Sequence, residues 1–227
     1  MCRKIIYLLV VAVFMISVLT GCWDKVEIDQ RGFIGVIMVD MAPPGYLEKM
    51  DEQVKGVPGI EKQSGEMIKV TYIFADARVL AGEGGGGEEK GFIAMSSVAM
   101  TIPKTSGYVD SRISRRMFFG HTQVIVLGEE FMKNSEKLKQ VLDYFDRSPR
   151  FNRTARVLVA AEDEASKLAD VNPKGEKLMS RYLREIMQNE VTNGRIVDVN
   201  FNQFISMMRK GGDGILPRVV IEKEEVK

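Results

Sequence analysis

Apolar positions along this 227-residue chain fall into three kinds of run. The first is unbroken: Ile5 to Val18 carries no charge and follows the basic residues Arg3 and Lys4. The second kind is short and bounded by turn residues. Phe33 to Val39 (FIGVIMV) is apolar throughout, as expected of a strand buried on both faces. Met67 to Phe74 alternates in part, and Phe92 to Ile102 reads as a third strand stopped by Pro103. Thr122 to Leu127 (TQVIVL) predicts a fourth strand closed by Gly128, and Ala155 to Ala161 (ARVLVAA) a fifth. The third kind has helical spacing. Within Ser135 to Arg147, Leu138, Val141, Leu142 and Phe145 fall at i, i+3, i+4 and i+7, with Asn134 or Ser135 as N-cap and Pro149 as the stop. A short helix is predicted over Asp163 to Val171, and Leu178, Tyr182, Leu183 and Ile186 form another stripe. Asn200 caps a further helix with Phe201, Phe204, Ile205 and Met208 on one face, ended by Gly211 and Gly212.

The order strand–helix–strand over 122–161 predicts a crossover that places two strands parallel in one sheet. The fold class expected is therefore α+β: a mixed β-sheet domain with packed helices, followed by a small, mainly helical subdomain. The pattern divides the chain into a leader (1–21), a mixed-sheet domain (22–172) and a helical subdomain with a C-terminal linker (173–227), with the boundary near Asn172 and Pro173. Ile215 to Ile221 reads as an extended strand or linker, and 42–66 as loop. No internal repeat is present in the sequence.

The first run has a chemistry of its own. About 14 apolar residues fall short of the ~20 that a membrane-spanning helix needs. A basic start, an apolar centre and small or neutral residues before Cys22 make a secretory signal. The tetrapeptide Leu19-Thr20-Gly21-Cys22 makes it resemble a bacterial lipoprotein signal with its lipobox. An uncleaved anchor and plain secretion are the weaker alternatives. The lipoprotein reading makes Cys22 the new N-terminus, carrying a diacylglyceryl group and an N-acyl chain such as palmitate. The other cysteine, Cys2, leaves with the leader, so no disulfide framework and no cysteine-based metal site can be built.

Charge narrows the function classes. The precursor carries 32 basic and 31 acidic residues, and loss of Arg3 and Lys4 leaves the remainder one charge negative. So balanced a chain offers no electrostatic case for nucleic acid. Chemistry is sparse as well. The glycine segment 82–90 ends without the Gly-Lys-Ser/Thr of a phosphate loop, and Glu83, Glu88 and Glu89 would repel phosphate; it reads as a flexible connection. His121 is the sole histidine, with no Gly-x-Ser-x-Gly elbow to supply a nucleophile, and is expected to be a hydrogen-bonded structural residue. Asp24, Glu27 and Asp29 read as a solvated lead-in rather than a metal cluster, and Met179, Met207 and Met208 as core. No catalytic residues, metal site or cofactor are expected. The most suggestive surface is Arg112, Arg115 and Arg116 ahead of Phe118 and Phe119, since arginine beside aromatics is frequent at protein interfaces.

Several stretches together resemble one family. Gly21-Cys22-Trp23-Asp24 with Glu27 is similar to the start of the Ger(x)C lipoproteins, the C subunits of spore nutrient germinant receptors, and a strand ending in Asp40 follows. Arg115-Arg116 through Gly120-His121 and Gln123 resembles the family's core segment, and Leu142 to Pro149 its helix end, with Ser148 where aspartate is usual and Arg150 in place of glutamate. Leu216-Pro217-Arg218 resembles the close of the family's N-terminal region, and the family's pattern then continues into a C-terminal α/β domain that this sequence lacks. The resemblance implies a non-enzymatic subunit, lipid-anchored through Cys22 on the outer face of the spore inner membrane. Its partners would be integral-membrane receptor subunits, and it would meet a small-molecule nutrient only indirectly. The partner-binding residues expected are Arg115, Arg116, Phe118 and Phe119. Direct capture of the nutrient by a solute-binding lipoprotein is the alternative function.

Overall fold

Strand β1 (Arg31–Met41) organises the molecule. In a computed structural model, which describes residues 3–7, 30–43, 45–46, 65–76, 90–161, 164–173, 175–211, 213–222 and 225–226, it lies inside the sheet with a strand on either side. Cys22, the acidic lead-in and the glycine segment 82–89 lie outside the described residues. The chain forms two units, Met1–Arg31 and Gly32–Lys227. In the first, residues 3–7 are helical. Among the described residues, no helix is long and apolar enough to cross a membrane.

The second unit is built on a mixed seven-stranded sheet in the order β3-β2-β1-β5-β6-β7, with β4 also pairing β1. Strands β2 (Ile68–Ala75) and β3 (Phe92–Ala99) run antiparallel beside β1. On the other side, β5 (Val124–Gly128), β6 (Arg156–Ala160) and β7 (Arg218–Val219) continue parallel. The parallel pairing of β5 with β6 follows from the crossover helix α3 (Ser135–Arg147), as the sequence pattern predicts. Asn134 caps α3 by accepting the Lys137 N–H at 3.1 Å.

The unbroken apolar run of β1 has two faces to fill. Ile37 and Val39 join a cluster with Ile125, Leu127 and the α3 residues Leu138, Val141, Leu142 and Phe145. Val36 and Met38 join a second cluster with Val124, Val126 and helix α4 (Met179–Thr192). A bulge between Ile34 and Val36 returns Ile34 to the first cluster, so the simple alternation of the strand is broken there. Helix α5 (Phe201–Arg209) adds Phe201, Phe204 and Ile205 to the first cluster and starts with a full capping box between Asn200 and Gln203. The architecture is α+β, with helices on both faces of the mixed sheet.

Three local expectations are corrected, and one element is new. The third strand stops at Ala99, and Ile102 to Asp110 is helix α1, with Pro103 in its first turn rather than ending a strand. A five-residue helix, α2 (Glu129–Lys133), follows β5 directly. The short helix after β6 is a 3-10 turn over Ala165–Ala169. Ile215 to Ile221 is not one strand: Arg218–Val219 extends the sheet, while β8 (Ile221–Glu222) pairs antiparallel with β9 (Glu225–Val226).

Candidate interaction site

The arginine–aromatic segment forms the approach to β5. Strand β4 (Arg116–Phe118) lies along β1, and a 3-10 turn (Phe119–His121) leads into β5. Three hydrogen bonds fix its path: Met117 N–H to the Asp110 side-chain Oδ1 at 3.1 Å, Gln123 N–H to Gly35 O at 2.9 Å, and Arg156 N–H to Gln123 O at 2.8 Å. Gly120 is required by crowding. A Cβ there would stand 2.6 Å from the Phe118 ring and 3.2 Å from Arg150 O.

The two phenylalanines point to different neighbours. Phe119 packs toward the core, with its ring 6.1 Å from Tyr72 and 6.3 Å from Phe145. Phe118 meets Phe33 edge-on at 5.9 Å and His121 at 5.6 Å, and His121 meets Phe33 at 5.0 Å. That trio of rings is only half-buried or exposed. His121 was expected to make a structural hydrogen bond; among the described residues its contacts are these rings, and it is exposed because the 3-10 turn carries it outside the ladder.

Beside the trio opens an apolar cleft of roughly 300 Å³. Its walls come from Phe33 and Ile73 in the sheet, Phe92 at the start of β3, and Leu178 and Met179 at the start of α4, with His121 on the rim. Gly91 holds that wall in place, since its N–H bonds Lys177 O at 3.0 Å and a Cβ there would collide with Lys177.

Arg115, Arg116 and Arg150 are exposed, and among the described residues no salt bridge involves any of them. Arg116 O lies 3.6 Å from where a Gly32 Cβ would sit, beside Phe33, and Arg150 O lies against Gly120. Arg112 spends its guanidinium on the carbonyls of Tyr108 and Ser96, at 3.0 and 2.7 Å. Of the residues expected in a partner site, Arg115 and Arg116 are exposed, Phe118 is half-buried in the ring trio, and Phe119 packs toward the core. Phe33 and Arg150 join them from distant stretches of the sequence, a long-range juxtaposition that no local pattern signals.

At the opposite, C-terminal end of β1, Asp40 is buried at 3 % exposure. Its carboxylate accepts N–H bonds from Ala165 at 2.6 Å and Ser166 at 2.9 Å, and so caps the 3-10 turn. Burial pushes its pKa up, against the pull of those two bonds, and Glu164 adds to the rise. A Cβ on Gly128 would be driven into Asp40 Oδ1, so the strand end, its carboxyl and this glycine form one fitted unit. Among the described residues, no three His, Cys, Asp or Glu side chains converge as a metal site.

Residues 24–221 match the family described as spore germination protein N-terminal domain. The chain belongs to this family. It is 25% identical over 211 residues to Spore germination protein KC of Bacillus subtilis, covering 92% of this chain and 46% of that protein. It is 26% identical over 233 residues to Spore germination protein YndF of the same organism (99% and 55%), and 26% identical over 185 residues to Spore germination protein B3 (81% and 43%). The chain thus spans about half the length of these curated relatives. No solved structure matches.

Proposed function

We propose that this chain is a non-enzymatic lipoprotein subunit of a spore nutrient germinant receptor. It is lipid-anchored through Cys22 on the extracytoplasmic face of the spore inner membrane and acts in germination by contact with the integral-membrane subunits. The family match supports the germination role. The observation that carries the contact reading is the exposure of Arg115 and Arg116, without an ion pair among the described residues, in the segment that packs Phe118 and His121 against Phe33. Arginine and aromatic residues are the side chains enriched at protein interfaces, and Phe119 serves the same surface by holding the segment onto the core. The nutrient is met indirectly, through the complex.

The test reverses charge where folding does not depend on it. Arg115→Glu with Arg116→Glu, both exposed, should leave the thermal unfolding curve within about 0.5 kcal/mol of wild type. The same chain should no longer co-isolate with the membrane subunits, and nutrient-triggered germination should slow at least tenfold. Unchanged co-isolation and germination would remove this surface from the contact.

A further inference from the structure

We propose that Asn193 is a site of spontaneous covalent modification, deamidation through a backbone succinimide, and that the C-terminal cap of helix α4 gates it. The proposal does not depend on the receptor reading.

The sequence supplies the reactive pair. Among the asparagines of the chain only Asn193 precedes glycine, so no side chain on the next residue hinders its nitrogen. Asn134, Asn152 and Asn200 spend their side-chain amides on hydrogen bonds. Asn193 is exposed at the end of α4. The reaction needs only water. The Gly194 nitrogen attacks Asn193 Cγ, a C–N bond forms, the Cγ–Nδ2 bond breaks, and ammonia leaves with the proton from Gly194. Water then opens the ring at either carbonyl and leaves aspartate or isoaspartate.

The fold supplies the gate. Gly194 N–H donates to Val191 O at 3.0 Å and Arg195 N–H donates to Glu190 O at 2.9 Å, the paired bonds of a Schellman cap. Gly194 holds φ at +70°, and an added Cβ would meet nothing within 4 Å, so glycine is needed there for its backbone conformation alone. Asn193 has ψ at −1°. That sets the Gly194 nitrogen nearly eclipsed with the Asn193 nitrogen and not with Cβ, so ring closure requires rotation about the Cα–C bond. The rotation cannot be made with both cap bonds in place, and the nucleophile is freed only when the helix end opens. The product fits the cap poorly. A new carboxylate meets the negative end of the helix, and isoaspartate lengthens the main chain by one carbon inside the capped turn. The next residues, Arg195 and Ile196, wall a cavity of roughly 430 Å³ against Leu183 and Met187, so the modification would reshape that wall.

The experiment incubates the full chain at mildly alkaline pH and follows each asparagine by peptide mass spectrometry, beside an acetylated, amidated peptide spanning 188–197. Asn193 should be the first asparagine converted. Its rate in the folded chain should be at least tenfold below that of the peptide, since only the open fraction reacts, and should match the peptide in urea. Arg195→Pro removes the N–H that closes on Glu190 O. It should raise the rate at least threefold relative to a peptide with the same change, and a thermal melt verifies that its fold persists. Asn193→Gln, whose ring would be six-membered, should keep the cap and abolish the product. Another asparagine converting first, or no conversion at position 193 of the folded chain over many peptide half-lives, would overturn the site. A folded rate equal to that of the peptide, or an unchanged rate in Arg195→Pro, would overturn the gate.

Discussion

Two opposing effects act on the carboxyl of Asp40. Burial disfavours its charge, while the N–H groups of Ala165 and Ser166 favour it, and burial wins, so the folded pKa is raised. The sign of the pH dependence follows. A carboxyl whose folded pKa lies above its unfolded value of about 3.9 contributes stability that is fully present below that unfolded value. The contribution is lost as pH rises through the folded value. Wild type should therefore hold its largest advantage over Asp40→Asn near the acid end, with the gap shrinking toward neutral pH, as read from urea midpoints across the series. A gap that widens with pH would mean that the two hydrogen bonds outweigh burial. Asp40→Ala should be worse than Asn at every pH, because it orphans two N–H donors at about 1–3 kcal/mol for each one left buried. The sequence marks Asp40 as the end of a strand. It does not reveal that the turn 125 positions later would need the carboxylate as its cap.

Strand β1 and helix α4 meet where the strand has no side chain to offer. At Gly35 an added Cβ would stand 2.8 Å from Ser180 Oγ and 2.9 Å from Ser180 Cβ, and the bulge lies at the same residue. Gly35→Ala should cost about 1–3 kcal/mol by overpacking. Adding Ser180→Gly should relieve that clash while costing about 1 kcal/mol through a glycine in the helix. In a double-mutant cycle by urea unfolding the pair should thus lose less than the sum of the two single losses; additive losses would place the strain elsewhere. Asn200→Ala should lower stability by about 1 kcal/mol through loss of the α5 capping box.

How legible each element is in the sequence depends on whether its burial is periodic. Strands β1, β5 and β6 and helices α3 and α5 are readable, because each turns a regular apolar row toward a core. Helix α1 is not. Its residues Lys104, Thr105, Ser106 and Gly107 carry no apolar stripe, and Pro103 signals a stop and a helix start equally well. Strand β4 has three residues and helix α2 five, fewer than two periods of their own pattern, so no repeat can show. The candidate site divides in the same way. Arg115 to His121 stands out as a motif, but Phe33 and Arg150 reach it only through the sheet, and the opposite orientations of adjacent Phe118 and Phe119 come from the turn that follows β4.

For the whole molecule, the proposed receptor role raises the question of how such a domain would find partners embedded in a bilayer. Contacts of this kind are weak in free solution. Anchoring in the same membrane as the partner replaces bulk concentration with an effective one that reaches the millimolar range for short flexible tethers, adding orders of magnitude of avidity without a new contact. The lipid proposed on Cys22 would supply such a tether. The chain's apolar run of about 14 residues is short for a spanning helix, and Leu19-Thr20-Gly21-Cys22 follows it. Each buried CH₂ contributes about 0.8 kcal/mol; one acyl chain holds only marginally, whereas two or more hold stably. On the lipoprotein reading, intact-mass measurement should find the diacylglyceryl and N-acyl increments on wild type and neither on Cys22→Ala, which should leave the membrane fraction or remain with its leader uncut. Germination should fall in that strain even though the arginine–aromatic surface is intact. The decisive comparison restores membrane residence by other means, fusing an unrelated spanning helix ahead of Trp23 in place of Cys22. Recovered germination would establish that the lipid acts by raising local concentration. Failure to recover, with the protein present at the membrane and folded, would show that the acylated cysteine itself touches the partner.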